Sequence, residues 1–225
     1  MRSFGIQVTV NASGAADAAK RGYVVVVVDV IDMSTTLEGA LDAGALAVMG
    51  ASPDVSLAPV KLDPEGVGSR AGKLAVANNT SVVVISEPRI GTDDERKARA
   101  GKAIKGILST GAEISAILPN IGSETAKLTD FTGKVVLAVT DTGGVAFDAA
   151  LTAGAVSVVT GTVARTMHKR GTVPARSAAL RAIDEAAKWQ TGIAVVAASA
   201  NSLEDILGAE YITRIILEEG FTKLS

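Results

Sequence analysis

One block of this chain is written twice, about 110 residues apart. The first copy is the run Val24 to Val28, followed by Asp29-Val30-Ile31-Asp32-Met33-Ser34-Thr35-Thr36, then Glu38, and it closes on Ala43-Gly44-Ala45. The second is Val135 to Val139, followed by Thr140-Asp141-Thr142-Gly143-Gly144, then Asp148, and it closes on Ala153-Gly154-Ala155. A shorter echo runs from Val195 to Ser199 and on through Leu203-Glu204-Asp205. Each copy reads as a buried strand, a polar turn and a helix. The turn falls where α/β proteins place anion and metal sites, because helix N–H groups are left unpaired there.

Apolar β-branched runs at 24–28, 82–85, 135–139, 156–159 and 193–197 predict buried strands, with shorter ones at 5–10, 46–49 and 114–118. Helical patterns lie between them at 13–20, 35–43, 93–109, 145–152, 174–189 and 203–218. This alternation predicts an α/β fold: three-layer α/β/α, with a largely parallel or mixed sheet and two repeat-related halves. The whole of 1–225 reads as one domain, with halves at about 1–130 and 131–225. The stretch 52–79 carries Pro53, Pro59, Pro64 and several glycines, and reads as a loop-rich excursion. Aromatic residues make up only 3% of the chain, so the core must be built from Val, Ala, Ile and Leu.

A net charge of −2 gives no bulk attraction to nucleic acid or to an anionic membrane. With no cysteine, disulfides, thiolate metal sites and a cysteine nucleophile are excluded. No apolar run is long enough to span a bilayer. These features predict a soluble, cytoplasmic protein. The apolar tail 212–217 reads as core or as an interface, and homo-oligomerisation is expected.

Asp29 ends a buried strand, where a carboxylate needs a cation or hydrogen-bond donors. Hard oxygen ligands at such a place suit Mg2+, which takes one or two carboxylates plus a substrate phosphate. Ser34, Thr35 and Thr36 open the next helix, either to hold an anion or simply to cap the helix. Thr140, Thr142 and Gly143 form the second turn, which reads equally as a ligand approach and as a tight strand-to-helix connection. In the third, Ser199 precedes Ser202, and Ser202 with Asp205 has capping-box spacing. Glu204 and Asp205 lie on different sides of a helix, so only one is expected in a shared site. Glu87 and Arg89 follow the strand at 82–85; Arg89 reads as a phosphate clamp or as half of a local ion pair. His168, the single histidine, sits among Arg165, Lys169 and Arg170 and reads as a surface turn.

Taken in order, these blocks resemble the 2-phosphosulfolactate phosphatase family of coenzyme M biosynthesis. Asp29 through Ala45 is similar to its aspartate-ended strand, Leu-Arg-Ala-Ser/Thr-Thr turn and Ala-rich helix. Glu87-Pro88-Arg89 is similar to its Gly-Glu-Arg turn, and Ile121-Gly122-Ser123-Glu124 to its Gly-Asn-Ser-Pro loop. Thr140 to Gly144 takes the place of its Thr-Thr-Asn-Gly-Thr turn, and Ala198 to Asp205 that of its Cys-Ala-Gly to Leu-Glu-Asp segment. Asp32 and Val145 stand where the family has arginines. The resemblance implies a hydrolase: an Mg2+-dependent phosphatase of a small phosphorylated hydroxy acid, giving 3-sulfolactate and phosphate in the family reaction. Asp29 and Glu204 would be catalytic, and Asp29, Glu204 and Asp205 would hold the metal. Ser34, Thr35, Arg89, Thr140, Thr142, Gly143 and Ser199 would bind the anionic substrate. The missing arginines leave a second reading, a non-catalytic small-anion-binding or scaffold protein of the same fold.

Overall fold

A computed structural model describes residues 4–221. The chain runs β1 (Ile6–Val10), α1 (Asn11–Lys20), β2 (Val24–Val28), α2 (Met33–Asp42), β3 (Ala47–Ala51), α3 (Pro64–Ala77), β4 (Val82–Ser86), α4 (Asp93–Arg99) and α5 (Gly101–Leu108). It continues with β5 (Ile114–Pro119), a 3-10 turn (Gly122–Lys127), β6 (Val135–Val139), α6 (Gly143–Thr152), β7 (Val158–Gly161), α7 (Val173–Trp189), β8 (Ile193–Ala197) and α8 (Leu203–Glu218).

The strands form two four-stranded sheets, β1-β8-β2-β7 and β3-β6-β4-β5, and every pairing is parallel. β2 and β8 pair in register from Val24 opposite Ile193 to Val28 opposite Ala197. All five residues of β2, β4, β6 and β8 are buried, as sheets covered on both faces require. The element order begins anew at β5. Matching β1 with β5, β2 with β6, β3 with β7 and β4 with β8 converts one sheet's strand order into the other's. Strands of the two units alternate in both sheets, so each pairing joins one unit to the other.

Each sheet is the middle of an α/β/α sandwich. One apolar cluster unites α1, α2 and α6 with the inner faces of β2 and β8 from the first sheet and β4 and β6 from the second. α7 and α8 cover the outer face of the first sheet. α3 and α5 cover the outer face of the second. The core is made of Val and Ala, with Phe131, Phe147, Met33 and Leu37 filling the space between the sheets.

Three readings of the sequence need correction. The two units meet between α5 and β5, not near residue 130, because the element order begins anew at Ile114. The stretch 52–79 is not all loop, because α3 occupies half of it. Pro64 stands in the first turn, where its missing N–H costs nothing, and Asp63 caps the end through the Gly66 N–H at 2.9 Å. The glycines are contact points: a Cβ on Gly68 would lie 2.0 Å from the Ala103 carbonyl oxygen, and one on Gly106 2.0 Å from that of Glu65. The helix read over 93–109 is two helices, breaking at Ala100.

Glu38 and Asp148, matched by the repeat, are both fully buried on the central helices. Asp148 accepts from Ser52 Oγ at 2.5 Å, the Asp63 N–H at 2.8 Å and Thr152 Oγ1 at 2.9 Å, which ties the loop after β3 to α6. Glu38 instead receives Arg181 from α7.

Candidate functional site

The C-terminal end of β2 meets the first turns of α6 and α8, and the three turns of the repeated block converge there. Asp29 leaves β2 buried. Its Oδ2 accepts the Gly143 N–H at 2.8 Å and Thr142 Oγ1 at 3.0 Å. Its Oδ1 accepts the Asp32 N–H at 3.2 Å. The carboxylate therefore caps the start of α6 from a distant part of the chain. Asp205, in the first turn of α8, accepts the Val30 N–H at 2.8 Å through Oδ1. Ser202 caps that helix by accepting the Asp205 N–H at 3.2 Å, as the capping-box spacing predicts.

A cleft of about 270 Å3 opens between these turns, lined by Asp29, Ile31, Asp32, Thr142, Ser199, Asn201, Ser202, Glu204 and Asp205. That size is near the lower limit of small-molecule sites and fits a compact metabolite, not a nucleotide. Glu204 and Asp205 both reach it, contrary to the expectation of one. The helix faces the cleft end-on, and side chains of a first turn lean back toward the N-terminus whatever their angle about the axis.

The charge arrangement is unusual. Burial raises the Asp29 pKa above the ordinary carboxylate value, and the Asp32 charge adds to this, against the bonds from Thr142, Gly143 and Asp32. Burial pushes Asp205 up to about 6; the Val30 N–H opposes the rise and the Asp29 charge adds to it. Among the described residues, no lysine or arginine forms an ion pair with Asp29 or Asp205. Two desolvated carboxylates lining one cleft without a countercharge favour uptake of a proton or a cation.

The described residues contain no group of three His, Cys, Asp or Glu side chains arranged to hold a metal. The donor set does fit a cation held by two carboxylates, with water and substrate completing its shell. That is the usual arrangement for Mg2+. Glu204 lines the same cleft.

Other residues singled out in the sequence lie elsewhere. Ser34 is fully buried; its Oγ donates to the Val27 carbonyl at 2.9 Å and accepts the Asp29 N–H at 3.0 Å. Thr35 Oγ1 bonds the Val30 carbonyl and Thr162. Thr140 Oγ1 accepts the Gly144 N–H at 2.8 Å. These three hydroxyls brace the turns and have no face on the cleft. The Gly143 N–H is held by Asp29. Arg89 pairs with Asp32, a cleft-lining carboxylate, so its guanidinium stands at the cleft's edge. Val145 packs against Ala12 and Ala16 of α1. His168 is exposed on a surface turn, as expected.

The sequence reading missed Ile31, Asn201 and Arg99. Asn201 sits in the third copy of the turn, where the capping serine beside it marked the position. Arg99 ends α4 and carries no such signal. It reaches Asp141 at 2.6 Å and Glu87 at 3.6 Å. Burial raises Glu87, with the Asp141 and Asp32 charges adding to the effect and Arg99 opposing it. Asp141 faces Arg99 while its neighbour Thr142 faces Asp29, so one turn serves two polar groups. No protein-family model matches the chain, and no curated protein matches it.

Proposed function

We propose that this cleft hydrolyses a small phosphate monoester with the help of Mg2+, in the manner of the 2-phosphosulfolactate phosphatases that the sequence resembles. The observation that carries the reading is the pair Asp29 and Asp205, both buried in the lining of one cleft without a countercharge where β2, α6 and α8 meet. A phosphate dianion would be repelled by such a pair alone, and a divalent cation reverses the sign of the interaction. Asp29 and Asp205 would hold the ion, whose chemistry is to neutralise phosphate oxygens and make bound water more acidic. Glu204, partly exposed on the cleft wall, is the carboxylate placed to accept a proton from an attacking water. Ser199 and Asn201 offer hydrogen bonds to substrate oxygens. Arg89 would turn from Asp32 to the substrate's second anionic group.

The test is phosphate release from a panel of phosphorylated hydroxy acids, with Mg2+ and with a chelator. The wild-type protein should release phosphate from at least one of them only when Mg2+ is present. Glu204→Gln should lower kcat by roughly 10²–10⁴-fold, the usual worth of a general base. Asp29→Asn, which keeps the acceptor for Thr142 and Gly143, should abolish the Mg2+ dependence. Full Mg2+-dependent turnover in both variants would refute these roles.

A second reading is favoured by one observation: the arginine at the cleft's edge, Arg89, is already neutralised by Asp32. A cleft with no free cation among the described residues suits non-catalytic binding of a small ligand. Absence of release from every ester, with Mg2+-dependent ligand protection against melting still present, would select that reading.

A further inference from the structure

α8 carries an apolar stripe that the fold does not use. Its exposed residues are Leu203, Leu207, Glu210, Tyr211, Arg214, Leu217 and Glu218. At 100° per residue they fill a single arc of about 120°. The large apolar members are well exposed: Leu203 at 66%, Leu207 at 53%, Leu217 at 44% and Tyr211 at 38%. An outer-layer helix ordinarily presents charge on that face.

The repeat supplies an internal control. Ser202 and Thr92 are the N-caps of α8 and α4, at the same 110-residue offset as the Ala-Gly-Ala triplets. At that offset Leu203 corresponds to Asp93 and Leu207 to Lys97, both exposed. At these two positions one unit carries charge and the other leucine, although the first unit also exposes Leu108 of α5, at 55%. Leucine at 203 and 207 therefore meets no requirement of the fold.

The patch extends beyond the helix. Ile6 of β1 packs into the cluster that holds the inner face of α8. Strand alternation puts Val8 and Val10 on the same face of the sheet, and both are exposed.

We propose that the α8 stripe, with Val8 and Val10 beside it, is the interface on which two copies of this chain pair. The stripe is self-complementary. Two antiparallel α8 helices related by a two-fold axis level with Ile212 would set Leu207 of each copy opposite Leu217 of the other. The same axis sets Glu210 opposite Arg214, twice. Among the described residues Glu210 makes no ion pair, and Arg214 pairs with Glu218 on its own helix and with no other carboxylate. A two-fold contact of this kind closes on itself and stops at the dimer.

The size of the contact sets its strength. A 16-residue helix is about 24 Å long, so the stripe alone covers less than the ~800 Å2 per partner of a standard interface. The pair is a reversible dimer whose population depends on concentration.

The experiment is sedimentation velocity of the full chain across a concentration series. The wild-type protein should pass from monomer to dimer. Leu207→Glu and Leu217→Glu should each raise the dissociation constant roughly tenfold or more, as removal of a central apolar contact does. Glu210→Arg and Arg214→Glu should each weaken the dimer, and the double reversal should restore it. Lys97→Glu, on the repeat-related helix, should leave it unchanged. All these sites are exposed, and melting curves check that the variants stay folded. A wild-type protein that is monomeric throughout overturns the proposal. So does a dimer indifferent to both leucine variants, or a double reversal no better than the singles.

Discussion

Asp205 shows how a single side chain ties stability to pH in this molecule. In the unfolded chain it would lose its proton near 3.8, and in the cleft it keeps the proton to about 6. The folded state thus binds the proton more tightly than the unfolded state. The stability this provides is complete below pH 4 and is lost as pH rises through 6. Asp205→Asn removes the desolvated charge and keeps an oxygen for the Val30 N–H. It should stabilise the protein by about 1–3 kcal/mol at pH 8 and by almost nothing at pH 4. Thermal melts in chelator at pH 4, 6 and 8 would check this, and a gain constant across the three would count against it. Such a variant would be more stable and unable to hold a cation, the trade expected of a functional carboxylate. At this scale Asp29, Thr142, Ser199, Glu204 and Asp205 were legible in the sequence, because each stands where a strand hands over to a helix. Ser34, Thr35 and Thr140 stand at the same junctions, yet their hydroxyls serve backbone groups. Sequence position cannot distinguish a hydroxyl facing a cleft from one bracing a turn, since the partners are set by tertiary contact.

Among the elements, the strands announced themselves and α3 did not. Runs such as Val24 to Val28 and Val135 to Val139 are buried on both faces, so their β-branched side chains leave an unbroken signature. α3 is rich in residues that usually mark loops. Pro64 opens it, and Gly66, Gly68 and Gly72 lie within it. Gly66 leaves room for the capping Asp63, while Gly68 and Gly72 belong to a close crossing with α5, where Gly106 answers from the other helix. Gly106→Ala puts a methyl 2.0 Å from the Glu65 carbonyl oxygen, a distance no real side chain occupies, and backbone cannot move aside cheaply. The variant should lose about 1–3 kcal/mol or more, although alanine has the higher helix propensity. The urea midpoint should fall with the slope unchanged. A stabilised variant would mean that propensity outweighs contact and that the two helices are free to separate.

Across the whole molecule the repeat is interwoven, and this changes what each half can do. The first sheet alternates β1 and β2 of the first unit with β8 and β7 of the second; the other sheet alternates β3 and β4 with β6 and β5. No two strands of one unit are neighbours, so a unit alone cannot form a single native strand pair. The sequence displayed the repeat plainly through its paired triplets and acidic positions. The interweaving was hidden, because periodicity identifies strands and carries no record of which ones pair. Every strand pair must also wait for distant chain to arrive, which is costly in loop entropy and predicts slow folding. Cutting the chain at Gly111, an exposed glycine between α5 and β5, separates the two units without touching an element. Each fragment alone should show weak circular dichroism and no cooperative melt. Mixed in equal amounts, they should regain the spectrum of the intact chain and one cooperative transition at a lower temperature, since association now replaces a covalent link. The helices alone cannot rescue a fragment, because α2 and α6 bury their apolar faces against sheets that exist only when both units are present. A fragment that folds cooperatively by itself would show that a unit can pair its own strands, and the alternating order would then be only one of two arrangements open to this sequence.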